Sequence, residues 1–162
     1  MLRYSLLAIL LCNVPSAHAW EVGEFRNGMS KAEVASTLKS WNFDQVIDVG
    51  RDGLFAYDLP ESPAGRRFLF TFCNEKLVSF DQEIAPSFRN FIVIASNYSN
   101  TNGNPLRVIP YTDVVASGEK DVLAMFWRKG MDYMGVKYAL YANSEQLSIT
   151  WQVNNNCWAA PR

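Results

Sequence analysis

Histidine is almost missing from this chain. The single histidine among 162 residues is His18, inside an amino-terminal stretch that reads as an export address. With no imidazole after it, Ser-His and Cys-His nucleophilic pairs, histidine-bearing zinc sites and a histidine pH switch are excluded. Cysteine is scarce as well. Beyond Cys12 there are only Cys73 and Cys157, and two thiols are too few for a closed zinc site. Asp44, Asp48 and Asp52 lack calcium-loop spacing, so neither a metal nor a cofactor is expected. Charge of one sign is missing too: 15 basic and 16 acidic residues leave a formal net charge of −1. Without a basic run, that balance argues against nucleic acid and against an electrostatically held membrane protein.

The only long apolar run lies in the first 19 residues. Arg3 supplies a positive start, Leu6 to Leu11 the apolar segment, Pro15 a break, and Ala17-His18-Ala19 the small-x-small pattern of a cleavage site. This predicts a signal peptide over 1–19 and a mature chain from Trp20. The run is too short to cross a bilayer. Leu11 precedes Cys12 where a lipoprotein signal wants a small residue, so neither a transmembrane span nor a lipid anchor is expected. The expected location is periplasmic or secreted. In an oxidising compartment Cys73 and Cys157 read as one structural disulfide, with two free buried thiols as the alternative.

Order along the mature chain starts with "NGMSKAEVASTL". Ser30 as N-cap with Glu33 three residues on forms a capping box, and Met29 and Val34 occupy the two staple positions. A helix follows with Val34, Leu38 and Trp41 on its apolar stripe. Runs 45–49 and 54–59 read as strands. In "RRFLFTFCNEKLVSFDQEI" Phe68, Phe70 and Phe72 share one face, Asn74-Glu75 is the tight turn, and 77–83 the return strand. A second helix opens at Ser87 with Phe88, Phe91, Ile92, Ala95 and Tyr98 as its stripe. Strands at 122–128, 133–141 and 147–153 follow, preceded by an edge run over 106–111 that Pro110 suits.

The expected fold class is therefore α+β. It consists of two helix-plus-antiparallel-sheet units, 20–85 and 86–162, sharing a core or one continuous sheet.

Gly28-Met29-Ser30, Glu33-Val34, Leu38 and Lys76-Leu77-Val78 together resemble the SmpA/OmlA type of bacterial envelope module. That is the family of the small lipoprotein of the outer-membrane barrel-assembly machinery, and the tandem β-lactamase inhibitory protein has a related layout. The resemblance covers about 28–83. It implies an assembly or protein-binding role in the envelope without catalysis, and it transfers no functional residue.

Four local patterns carry chemistry. Ser36-Thr37-Leu38-Lys39 fits the S-x-x-K pattern of penicillin-interacting serine enzymes, but no K-T-G or S-D-N element follows. Asp81 and Glu83 fall on one face of a strand, as a carboxylate pair would and as wet sheet positions do. Phe70 and Trp151 are expected in the core, with Trp41 and Trp158 less committed to it. Tyr133, Lys137 and Tyr141 share the face opposite Met134, Val136, Tyr138 and Leu140, and tyrosines on a sheet face are a surface for another protein. The leading expectation is a non-enzymatic module with a protein partner in the envelope or outside the cell. The alternatives are a small-ligand carrier with an aromatic pocket between helix and sheet, and a serine hydrolase using Ser36 and Lys39.

Overall fold

The computed structural model describes residues 20–60, 65–115, 118–141 and 144–157. The expected signal peptide and Trp158 lie outside them.

A two-stranded ribbon comes first, β1 (Glu21–Val22) with β2 (Phe25–Arg26). Helix α1 (Lys31–Ser40) starts where the capping box predicts: the Glu33 amide donates to Ser30 Oγ at 3.2 Å and the Ser30 amide to Glu33 Oε2 at 2.6 Å. Then come β3 (Gln45–Asp48), β4 (Gly53–Tyr57), β5 (Arg67–Cys73) and β6 (Lys76–Ile84). Helix α2 (Phe88–Asn102) is capped by Ser87, and β7 (Arg107–Val115), β8 (Gly118–Lys129), β9 (Asp132–Tyr141) and β10 (Ser144–Val153) complete the order. Asn74 and Glu75 both take positive φ, 49° and 63°, as a two-residue hairpin turn requires.

All eight longer strands enter one antiparallel sheet in the order β3-β4-β5-β6-β10-β9-β8-β7. This corrects the expected pair of helix-plus-sheet units. Among the described residues the chain is mostly β, 54% strand against 19% helix, and the strands do not separate into two sheets. The physical reason is the central seam, where six residue pairs run from Leu147 opposite Ile84 to Gln152 opposite Ser79. A strand edge left open there would expose its unpaired amides and carbonyls, and pairing β6 with β10 satisfies both strands. The outer edges are the four-residue β3 and the Pro110-bearing β7.

Both helices pack on the same face of the sheet. Under α1, Val34 and Leu38 meet Phe25, Phe70, Phe72 and Phe80; under α2, Phe91 and Ala95 meet Trp127, Val136 and Leu147. The α2 stripe is narrower than its sequence suggests, since Phe88 and Ile92 flank the contact and stay exposed. Trp151 stacks on Phe80 at 5.5 Å. Residues 28–30 dock on the start of β6, with the Gly28 amide donating to Leu77 O at 2.8 Å and the Leu77 amide to Met29 O at 2.7 Å. The separated pieces "GMS" and "KLV" are therefore neighbours in space.

Cys73, at the end of β5, is joined to Cys157, beyond β10, with Cα atoms 5.6 Å apart and a sequence separation of 84. The bridge holds the carboxyl-terminal side of the sheet to its first half.

Candidate functional site: the uncovered sheet face

Alternation along each strand puts every second side chain on the face away from the helices. No described helix covers that face. The register aligns its residues in rows across the sheet. One row runs Ile47, Phe55, Leu69, Asp81, Thr150, Gly135, Phe126 and Arg107; the next runs Gln45, Tyr57, Arg67, Glu83, Ser148, Lys137, Ala124 and Ile109. Ile47 and Leu69 are exposed beside half-buried Phe55 and Tyr57, whose rings stack at 5.0 Å. Toward the other end Phe126 lies over Gly135, so that a Cβ there would come within 2.8 Å of two ring carbons.

At the centre is a cleft of about 320 Å³, lined by Phe55, Arg67, Leu69, Asp81, Glu83, Lys120, Lys137, Ala139, Gln146 and Ser148. Asp81 stands on the β6 side of the seam. Thr150 Oγ1 donates to it from β10 and Ser79 Oγ lies at 3.5 Å. Burial pushes its carboxyl above the ordinary value; the Thr150 hydrogen bond, Lys137 and the Ser79 hydrogen bond pull the other way with less effect. Glu83 faces Arg67 at 3.6 Å, both partners well exposed. Lys120 Nζ sits 3.3 Å from Gln146 Oε1 and 5.0 Å from the Tyr141 ring centre, and Tyr141 OH is also 3.3 Å from Gln146 Oε1.

The three residues expected as an interaction surface share this face without forming one patch. Lys137 lines the cleft and Tyr141 borders Lys120. Tyr133 is buried, 7% exposed, with the Arg128 guanidinium 5.8 Å from its ring centre, so it offers little contact area. Asp81 and Glu83 both reach the cleft. Ser36 and Lys39 lie exposed on α1 and border two different open grooves, Ser36 with Glu24 and Arg26 and Lys39 with Asn42 and Phe43, so the catalytic reading gains no support.

Sequence reasoning missed Phe55, Arg67, Leu69, Lys120 and Gln146. Arg67 and Leu69 were readable, because three core phenylalanines at 68, 70 and 72 put 67 and 69 on the other face. Lys120 falls before residue 122, where the alternation becomes clear.

The aromatic space between α1 and the sheet is filled: Phe25 packs against Phe70 at 4.7 Å and Phe80 at 5.7 Å, and Trp41 against Phe68 at 5.7 Å. An open apolar groove of about 510 Å³ lies beside α2, bordered by Phe88, Pro110, Leu123 and Tyr138. Among the described residues no three histidine, cysteine, aspartate or glutamate side chains cluster as metal ligands, and no helix is long and apolar enough to cross a membrane. No protein-family model, curated protein or solved structure matches the chain.

Proposed function

We propose that this chain is an exported, non-enzymatic protein-binding module of the bacterial envelope, working in the periplasm or outside the cell. Its partner is taken on the uncovered face of the eight-stranded sheet. The carrying observation is that face itself: a paired, rigid surface with exposed Ile47 and Leu69 beside Phe55 and Tyr57, next to a cleft of both charge signs. Apolar anchors surrounded by polar groups are the usual composition of a binding surface, and a sheet paired on both sides orders few groups on binding. The disulfide and the small-x-small leader agree with export. The SmpA/OmlA-like pattern over about 28–83 agrees with an envelope role.

The test is site-specific photo-crosslinking in the envelope. Benzoylphenylalanine at Leu69 captures a reproducible protein adduct, whereas the same group at Val93, exposed on α2, does not. Adducts of equal yield from both positions, or none from Leu69, overturn the reading.

A further inference from the structure

Five charged side chains border the central cleft, and three of them are matched by an opposite charge or by hydroxyl donors. Arg67 and Glu83 face each other at 3.6 Å. Asp81 accepts from Thr150 and Ser79. That leaves two cations. Lys120 meets the neutral Gln146 side chain and the Tyr141 ring. Lys137 makes no ion pair within 4.0 Å among the described residues. Asp113 stands opposite Lys120 on β7 and the Lys137 charge acts on the Asp81 carboxyl, but neither ammonium has a carboxylate within 4.0 Å among the described residues, and two such groups beside one partly enclosed cleft attract an anion.

The register says where that anion sits. Ala139 stands between Lys137 and Tyr141 on β9, opposite Gln146 on β10, and Tyr141 is opposite Lys120 on β8. Ala139 is a small floor between the two lysines. The Gln146 amide and the Ser148 hydroxyl lie along the same side and supply neutral donors. Across the seam the lining changes character, since Phe55 and Leu69 form an apolar shelf.

We propose that the cleft receives an acidic side chain of the protein partner, its carboxylate over Ala139 between Lys120 and Lys137, with a bulky apolar neighbour of that side chain resting on Phe55 and Leu69. This rests on the reading of the uncovered face as the protein-binding surface. The occupant is a glutamate or aspartate beside an aromatic or large aliphatic residue, presented on a loop or strand. Glu83, held by Arg67, lies toward the opposite border.

The experiment is a nuclear magnetic resonance titration of the isotope-labelled chain from Trp20, with the disulfide formed. The probes are acetyl-Gly-Glu-Phe-Gly-amide, acetyl-Gly-Gln-Phe-Gly-amide and inorganic phosphate. The glutamate peptide shifts the amides of Lys137, Ala139 and Ser148 and binds at least about tenfold more tightly than the glutamine peptide, a ratio equal to about 1.4 kcal/mol. Lys120→Gln with Lys137→Gln removes that preference while the spectrum stays dispersed, and raised salt weakens it. Equal binding of the two peptides, shifts confined to other parts of the chain, or phosphate binding as tightly as the glutamate peptide would each overturn the proposal. A Leu69 photo-adduct without peptide discrimination leaves protein binding standing and sinks the carboxylate site. Discrimination without an adduct does the reverse.

Discussion

Gly135 is held to glycine by its neighbour, not by its backbone. The Phe126 ring occupies the space a methyl group would need, and adding a methyl to filled space costs about 1–3 kcal/mol. Gly135→Ala therefore destabilises by that amount in urea denaturation, and the cost largely disappears in a Phe126→Ala background, where the two changes are coupled. A full penalty in both backgrounds would place the conflict elsewhere. Two aspartates give opposite pH signatures. The native chain holds the Asp81 proton to higher pH than the unfolded chain does, so stability falls as pH rises from the ordinary carboxylate range through the raised value. Asp81→Asn, which keeps an acceptor for Thr150, removes that slope and raises Tm at pH 7; a lower Tm at pH 7 would show that the carboxylate charge is compensated. Asp58 is buried and meets the Arg66 guanidinium at 2.8 and 2.9 Å, which holds its carboxyl below the usual range. Its contribution is full at neutral pH and is lost as pH falls through that depressed value. Asp58→Asn therefore lowers Tm at pH 7 and flattens the acid limb of Tm against pH.

Among the elements, those with a strong local signature were the ones legible in sequence. Ser30 and Glu33 announce α1 through hydrogen bonds made within one turn, and Pro110 marks β7 as an edge. The period of two in 147–153 fixes which side chains of β10 face the helices. The ribbon β1-β2 escaped because two residues per strand hold no period, and its hold on the fold comes from Phe25 in the core. The β6 to β10 pairing escaped for another reason: alternation reports which face a residue takes, not which strand lies beside it. Site residues followed the same division. Asp81, Glu83 and Lys137 were readable as positions on a face, but the cleft that joins them needs neighbours supplied by the seam, and the burial of Tyr133 is not visible in its alternation. Of the connections between elements, the disulfide is the most direct to test. Closing a loop whose ends are 84 positions apart stabilises by about 4.6 kcal/mol in the chain-entropy model. Cys73→Ser with Cys157→Ser lowers the urea midpoint accordingly and makes it insensitive to reductant; a midpoint unchanged from the oxidised parent would mean the bridge constrains nothing.

For the molecule as a whole, one sheet with a central seam predicts one cooperative unfolding transition. Tryptophans report from both cores, with Trp20 under the first half and Trp127 under the second, so fluorescence and far-ultraviolet circular dichroism coincide along a urea series. Ile149→Pro, in a strand paired on both sides, removes a ladder donor at the seam and unfolds both halves together. Two separated transitions, or loss of only one tryptophan environment, would show that the halves fold independently. The clasp between Cys73 and Cys157 also divides the molecule by mechanical load. Stretched between Trp20 and Cys157, the backbone passes its tension from β5 across the sulfur atoms, bypassing the closed loop, whose ends are 84 positions apart in sequence. That loop contains β6, α2, β7 to β10 and both lysines of the cleft. The oxidised chain extends only through its first part, and reduction releases the rest as a separate step of roughly 290 Å. The half that carries the paired lysines is thus sheltered from pulling for as long as the clasp is closed.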